Sequence, residues 1–215
     1  TAHIGRGTTT RGTDSLNILF GNLALNANTS GYVNIAIGDS ALRSNTTGIA
    51  NIAIGFKALS LAVSVNNNIA IGRGVLAANT ANFNMGIGTS ALAVNTTGSS
   101  NIGIGAFALG VNTTGSSNIG IGAALAANTT GSFNIAMGYA GALNANLSGE
   151  SNVAIGYNSL YSNTSGNFNT SIGNQAGARN TSGSGNIYIG YGTNLQTIDS
   201  NLNYRLYVGY LDSLL

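Results

Sequence analysis

The sequence predicts an all-β fold, a parallel β-solenoid (β-roll) of about twelve 17-residue coils. Three observations carry that expectation: a motif that recurs in register, an apolar alternation inside it, and turn residues at fixed offsets from it. The motif is Asn-x-x-x-Gly, and its asparagines are Asn17, Asn34, Asn51, Asn68, Asn84, Asn101, Asn118, Asn134, Asn152, Asn169 and Asn186. Their spacings are 17, 17, 17, 16, 17, 17, 16, 18, 17 and 17 residues. A fixed period of this length marks an architecture in which each unit stacks on the next.

Residues 17–195 therefore read as the solenoid. Thr1–Gly5 reads TAHIG and stands 16 residues before the first copy, so 1–16 is expected to be a degenerate N-terminal coil or a linker. After Asn186 the pattern changes: the chain is richer in Tyr, Leu and Asp and lacks the recurring turn. Residues 196–215 are expected to cap the last coil or connect onward, since an open coil exposes a strand edge.

Each copy is read in the same way. Asn34, Ile35, Ile37 and Gly38 define the repeat, as do Asn51, Ile54 and Gly55, and Asn101, Ile104 and Gly105. Apolar residues at the second and fourth places flank a small third one (Ala36, Ala53, Gly103). That period of two predicts a short strand with both isoleucines on its buried face. Isoleucine also suits a pleated surface better than a helix. The glycine that follows permits a sharp bend. Ala-Leu comes next, as in Ala41-Leu42 and Ala108-Leu109, and supplies a second inward anchor.

Asn-Thr-Thr/Ser-Gly closes the copy at Asn28, Asn45, Asn95, Asn112, Asn128, Asn163 and Asn180, with looser versions at Asn79 and Asn146. This is turn chemistry, because Asn bonds local backbone and Gly turns freely. The same sites match glycosylation sequons, but their place in every coil favours the turn reading. Length changes in the copies starting at Asn118 and Asn134 fall between the glycine and this element, where loops are expected. Stacking such coils places identical residues in ladders, including asparagine ladders at the bends.

Composition narrows the function. Only 6% of the 215 residues are charged, against about 25% in an ordinary domain, while 43% are hydrophobic. The seven basic residues are scattered and the net charge is +2, so a nucleic-acid partner is not expected. There is no cysteine for disulfides or thiolate metal sites, and no run of about 18 apolar residues that would insert in a membrane. The acids Asp14, Asp39, Glu150, Asp199 and Asp212 neither repeat nor pair, and His3 is the single histidine. Neither a glycosidase pair nor a catalytic triad can be assembled from them in sequence. The chain is expected not to be an enzyme and to need no cofactor. It begins at Thr1 without Met or a signal segment, which points to a fragment or a processed piece.

The residues NIAIG and ALxxNTTG resemble the head repeats of trimeric autotransporter adhesins, and resemble still more the longer-period repeats of phage tail-fibre-like and bacterial surface proteins. The resemblance covers about residues 17–195. It implies a left-handed parallel β-roll, three of which associate around a three-fold axis as a homotrimer. It also implies an extracellular place, on a virion fibre or the bacterial cell surface. A tail such as 196–215 often leads, in the tail-fibre-like proteins, to a self-cleaving C-terminal chaperone.

The expected role is a structural and adhesive fibre segment that supports host or surface attachment. Tyr139, Tyr157 and Tyr161 are the candidate contacts to a cell-surface glycan or receptor, with packing between protomers the favoured fate of the aromatic residues as a group. An ice-binding solenoid is the alternative, from Thr pairs such as Thr46-Thr47 and Thr113-Thr114, with breaks at Val65-Asn66 and Leu147-Ser148. A polymerising extracellular filament is a third reading.

Overall fold

The computed structural model describes residues 5–6, 16–193 and 201–209. Thirteen strands form one sheet in which spatial order equals sequence order. They are β1 (Gly5–Arg6), β2 (Ile18–Phe20), β3 (Ile35–Ile37), β4 (Ile52–Ile54), β5 (Ile69–Ile71), β6 (Met85–Ile87) and β7 (Ile102–Ile104). The series continues with β8 (Ile119–Ala123), β9 (Ile135–Ala140), β10 (Val153–Ile155), β11 (Thr170–Ile172), β12 (Ile187–Ile189) and β13 (Leu206–Val208). From β2 to β13 every pairing is parallel, and in register save for one shift in β8–β9, with Ile35 opposite Ile52 opposite Ile69. The chain is a β-solenoid with one strand per coil of about 17 residues. At about 4.8 Å per strand the stack is roughly 50 Å long.

Both ends of the stack carry something the repeat does not foretell. Gly5–Arg6 pairs antiparallel with β2, so β1 covers the first edge with a reversed strand. At the other end β13 adds a further parallel rung on β12, beyond residue 195.

The strand faces are the reverse of the expectation. The small third residue points inward: Ala36, Ala53, Ala70, Ala136 and Ala154 are fully buried. Ile35, Ile52, Ile54, Ile102 and Ile104 are only half-buried, and Ile37 is 38% exposed. The cause is the width of the coil. Leu42, Leu59, Leu92 and Leu109 enter from the opposite wall and are themselves fully buried. A Cβ on Gly103 would already lie 3.3 Å from Leu92 Cδ1, and one on Gly120 3.3 Å from Leu109 Cγ. Opposite a leucine the interior admits a methyl or a hydrogen, and an isoleucine pair has no room there.

Where the core changes, it changes in pairs. Tyr188 takes the inward third place in β12, and the leucine position one coil earlier is Gly177. A Cβ on Gly177 would stand 2.5 Å from the Tyr188 ring. Ser171 and Ser159 likewise replace two core alanines together. Ser159 Oγ donates to Ser171 Oγ at 2.8 Å, and Ser171 Oγ donates to the Ala176 carbonyl at 2.7 Å, so neither hydroxyl is stranded.

Corners are made by left-handed residues. Gly38, Gly55 and Gly105 have φ between 129° and 133°, and a Cβ on Gly38 would come within 2.6 Å of the Gly55 carbonyl oxygen. Leucines at the inward anchor also sit left-handed, with φ 49° at Leu42 and 52° at Leu92 and Leu109. That conformation costs roughly 1–2 kcal/mol for a residue with a Cβ. Backbone bonds between coils hold it: Leu42 N–H donates to the Ala58 carbonyl and Leu92 N–H to that of Ala108, both at 3.0 Å.

The length changes near Asn118 and Asn134 do not form loops. They are absorbed in the longer pair β8–β9, which shifts register after Gly122 so that Ala123 faces Ala140. A bulge takes up the odd residue without leaving the sheet.

Two asparagine ladders lock the coils. Asn101 receives a bond on Oδ1 from Asn118 N–H at 2.9 Å, and its Nδ2 donates to the Gly115 carbonyl at 2.8 Å. The first bond joins successive coils and the second closes the coil on itself. Asn34 and Asn51 make the same set. In the second ladder, Asn112 Nδ2 donates to Asn95 Oδ1 and Asn128 Nδ2 to Asn112 Oδ1, each at 2.7 Å. Asn95, Asn112 and Asn128 are fully buried with their amides engaged, so in the folded coil they are turns and present no acceptor for a sugar.

Candidate interaction surfaces

Turning the isoleucines outward gives the solenoid an apolar face. Two columns run its length, Ile35–Ile52–Ile69 in one and Ile37–Ile54–Ile71 in the other, continued by the later strands. Among their members Ile37, Ile155, Ile172, Ile187 and Ile189 count as exposed large hydrophobics. A monomer's largest apolar patch is ordinarily about 300–600 Å². A double column along a stack roughly 50 Å long is a continuous stripe with no charged residue at the second or fourth place of any strand from β2 to β13.

The two edges of this stripe differ. Tyr139 follows Gly138 within the lengthened β9 and Tyr157 follows Gly156 just after β10, so these two candidate contacts hold the same place in adjacent coils. Tyr139 is 90% exposed and Tyr157 half so. Tyr161 belongs to another wall. It follows the buried Leu160, and its ring lies over Gly141, where a Cβ would come within 2.9 Å of its Cδ2. The structure thus groups Tyr139 with Tyr157 and not with Tyr161. Among the described residues the one stacked aromatic pair is Tyr188 with Tyr207, 5.2 Å apart near the end of the core.

On the side before the strands stands an aromatic row that sequence reading left undivided from the rest. Phe83, Phe133 and Phe168 each immediately precede a ladder asparagine, and Tyr204 holds the same place before β13. Offset from the repeat, not overall clustering, is the signal that picks them out.

Threonines form a third row. Thr46, Thr96 and Thr113 each donate Oγ1 to a carbonyl of the next coil, at 3.1, 2.9 and 3.0 Å. These hydroxyls therefore bind the coils together. The row is broken at Val63, which receives the Thr46 bond, and not at Val65-Asn66. Val65 instead stands where other coils have the turn glycine, with Ala62 in place of the turn asparagine.

A shallow groove of about 400 Å³ opens beside Phe107 and Val111, where Gly110 leaves a gap. Among the described residues no three His, Asp or Glu side chains stand close enough to hold a metal ion, and no helix is long and apolar enough to cross a membrane. Comparison with protein-family models, with curated proteins and with solved structures returned no match.

Proposed function

We propose that this chain is a non-enzymatic structural and adhesive fibre segment. In this reading three copies pack their isoleucine stripes about a common axis, as a rod of a phage tail fibre or a bacterial surface adhesin that supports host or surface attachment. The observation that carries it is the outward double column of isoleucines. Left in water, such a stripe loses the stabilisation of roughly 25 cal/mol per Å² that burial provides. A second and third copy, each with the same straight, evenly spaced columns, match it rung for rung. Two columns per protomer also offer one to each of two neighbours.

Native mass decides the point. A species of three times the 21.5 kDa chain is expected in native mass spectrometry and light scattering at micromolar concentration. A monomer that stays soluble under the same conditions would overturn the reading.

A further inference from the structure

We propose that the corner preceding β6, β9, β11 and β13 is a binding track for a neutral polysaccharide strand lying along the solenoid axis. The track is built from a recurring dipeptide: Asn82-Phe83, Ser132-Phe133, Asn167-Phe168 and Asn203-Tyr204. It deepens the adhesive reading above but requires no particular number of protomers.

The rings are unusually open for their size. Phe83, Phe133, Phe168 and Tyr204 are 61, 62, 69 and 87% exposed. They are also held in left-handed backbone, with φ 61°, 61°, 57° and 54°, where a bulky residue is uncommon. Inter-coil bonds fix that backbone: Phe133 N–H donates to the Ser116 carbonyl and Phe168 N–H to that of Glu150, both at 3.0 Å. In the coils between, the same place is taken by Ser100, Ser117, Ser151 and Gly185. Small residues thus separate rings that recur every two or three coils, about 10 or 14 Å apart.

The polar member of each dipeptide is oriented as well. Asn82 Oδ1 accepts Asn66 N–H at 2.7 Å, Ser132 Oγ accepts Ser116 N–H at 3.0 Å, and Asn167 Oδ1 accepts Glu150 N–H at 2.7 Å. Asn203 Oδ1 accepts Ser184 N–H at 2.6 Å. With the oxygen committed to the preceding coil, what each has left for a ligand is a donor, an amide Nδ2 or a hydroxyl hydrogen.

A row of fixed donors beside open rings recognises hydroxyl oxygens next to apolar C–H faces, which is the chemistry of a pyranose chain. The backbone N–H groups at the rings are already bonded between coils, so an extended peptide has little ladder to join. The track carries one carboxylate, at Glu150, and no Lys or Arg in the dipeptides, which favours an uncharged polymer. A dry protein face is disfavoured too, since each unpaired donor it buried would cost about 1–3 kcal/mol. Rings at whole multiples of the coil rise suit a polymer with its own fixed repeat, bound through several weak contacts.

The test is affinity electrophoresis and calorimetry of the full chain against dextran, mannan, hydroxyethylcellulose and chitohexaose, with hyaluronate and polysialic acid as charged probes. At least one neutral probe is expected to bind, and Phe133→Ser with Phe168→Ser to weaken it at least tenfold. Serine already fills this place in three coils, so the double variant keeps its fold and its native mass. Phe56→Ser, at the corner after β4 and 46% exposed, leaves the affinity unchanged. Absence of binding to every neutral probe, binding of the charged probes alone, or full affinity in the double variant overturns the proposal. So does a lower native mass in the double variant, which makes the rings protomer contacts. A monomeric wild-type chain that still binds refutes the trimer and leaves the track standing.

Discussion

The hydroxyl of Tyr188 reaches Asn180 Oδ1 at 3.3 Å and ends the second asparagine ladder. In the coils before it that oxygen accepts from the next asparagine, as Asn163 Oδ1 does from Asn180 Nδ2 at 2.8 Å. Tyr188 supplies the missing donor from inside the core, in the space left by Gly177. Replacing Tyr188 by Phe is expected to keep the stacking on Tyr207 and to strand a buried oxygen, at about 1–2 kcal/mol. Urea unfolding at pH 7 measures it.

The same hydroxyl makes the fold sensitive to alkali. Burial, aided by the nearby Tyr207, raises the Tyr188 pKa above the tyrosine value of 10.0. Below that pH both folded and unfolded chains keep the proton, and the contribution is constant. Above it the unfolded chain ionises first, so stability falls as pH climbs towards the folded-state value, by at most about 1.4 kcal/mol per pH unit. Tyr188→Phe is therefore expected to flatten the loss above pH 10. Melting temperatures of the two proteins converge there, and parallel curves would refute the assignment.

A gap in the same ladder gives a third prediction. Asn45 Oδ1 is buried without a donor, because the next coil has Ala62 where an asparagine belongs. Three residues on, Val65 replaces the usual glycine. The two changes belong together: a Cβ on Gly98 or Gly115 would stand 2.6 Å from the amide oxygen of Asn95 or Asn112. Ala62→Asn alone is expected to destabilise by crowding Val65, and Val65→Gly alone by emptying core volume. Combined, they restore the ladder, with a coupling of about 2 kcal/mol in a double-mutant cycle. Additive losses would show that Asn45 lacks nothing.

Much of this fold is written in the spacing of Asn, Gly and Leu, because each has one physical task per coil. Asn101 joins and closes coils, Gly105 bends, and Leu109 fills the interior, so register and stacking follow from counting. Which strand face is buried does not follow. A period of two separates the faces without naming them, and Ile35 with Ile37 reads as core by hydrophobicity alone. The deciding quantity is the space left by Leu42 from the far wall, a distance between residues that no local pattern contains. The uniform smallness of Ala36, Ala53 and Gly103 is its only trace. Phe133 and Phe168 differ in this respect: their offset from the ladder asparagines is legible in the sequence, and only their exposure on one corner needs the stacked coils.

Glycine substitutions are expected to act in opposite directions at two kinds of corner. Gly38→Ala places a Cβ 2.6 Å from the Gly55 carbonyl at φ 129°, and loses at least about 2 kcal/mol because backbone must move. Ser117→Gly, at φ 57° on a surface corner, removes a left-handed Cβ and is expected to be neutral or to gain up to about 1 kcal/mol. Thermal melts of both variants settle the sign.

Adjacent residues of one strand separate folding from assembly. Ala53 is fully buried, and Ala53→Leu forces three further carbons against the leucine wall, so the variant is expected to lose about 3 kcal/mol or to fail to fold. Ile54, its neighbour, faces outward and is only partly buried. Ile54→Thr is expected to leave the protomer's far-ultraviolet spectrum unchanged and its own stability within about 1 kcal/mol; Thr170 already shows that a hydroxyl is tolerated on that face. What Ile54→Thr, combined with Ile71→Thr and Ile104→Thr, should reduce is association, seen as a shift to lower native mass on dilution. The two experiments together read the strand's orientation directly. If the isoleucines were the core, the threonine triple variant would unfold, and Ala53→Leu would pass unnoticed.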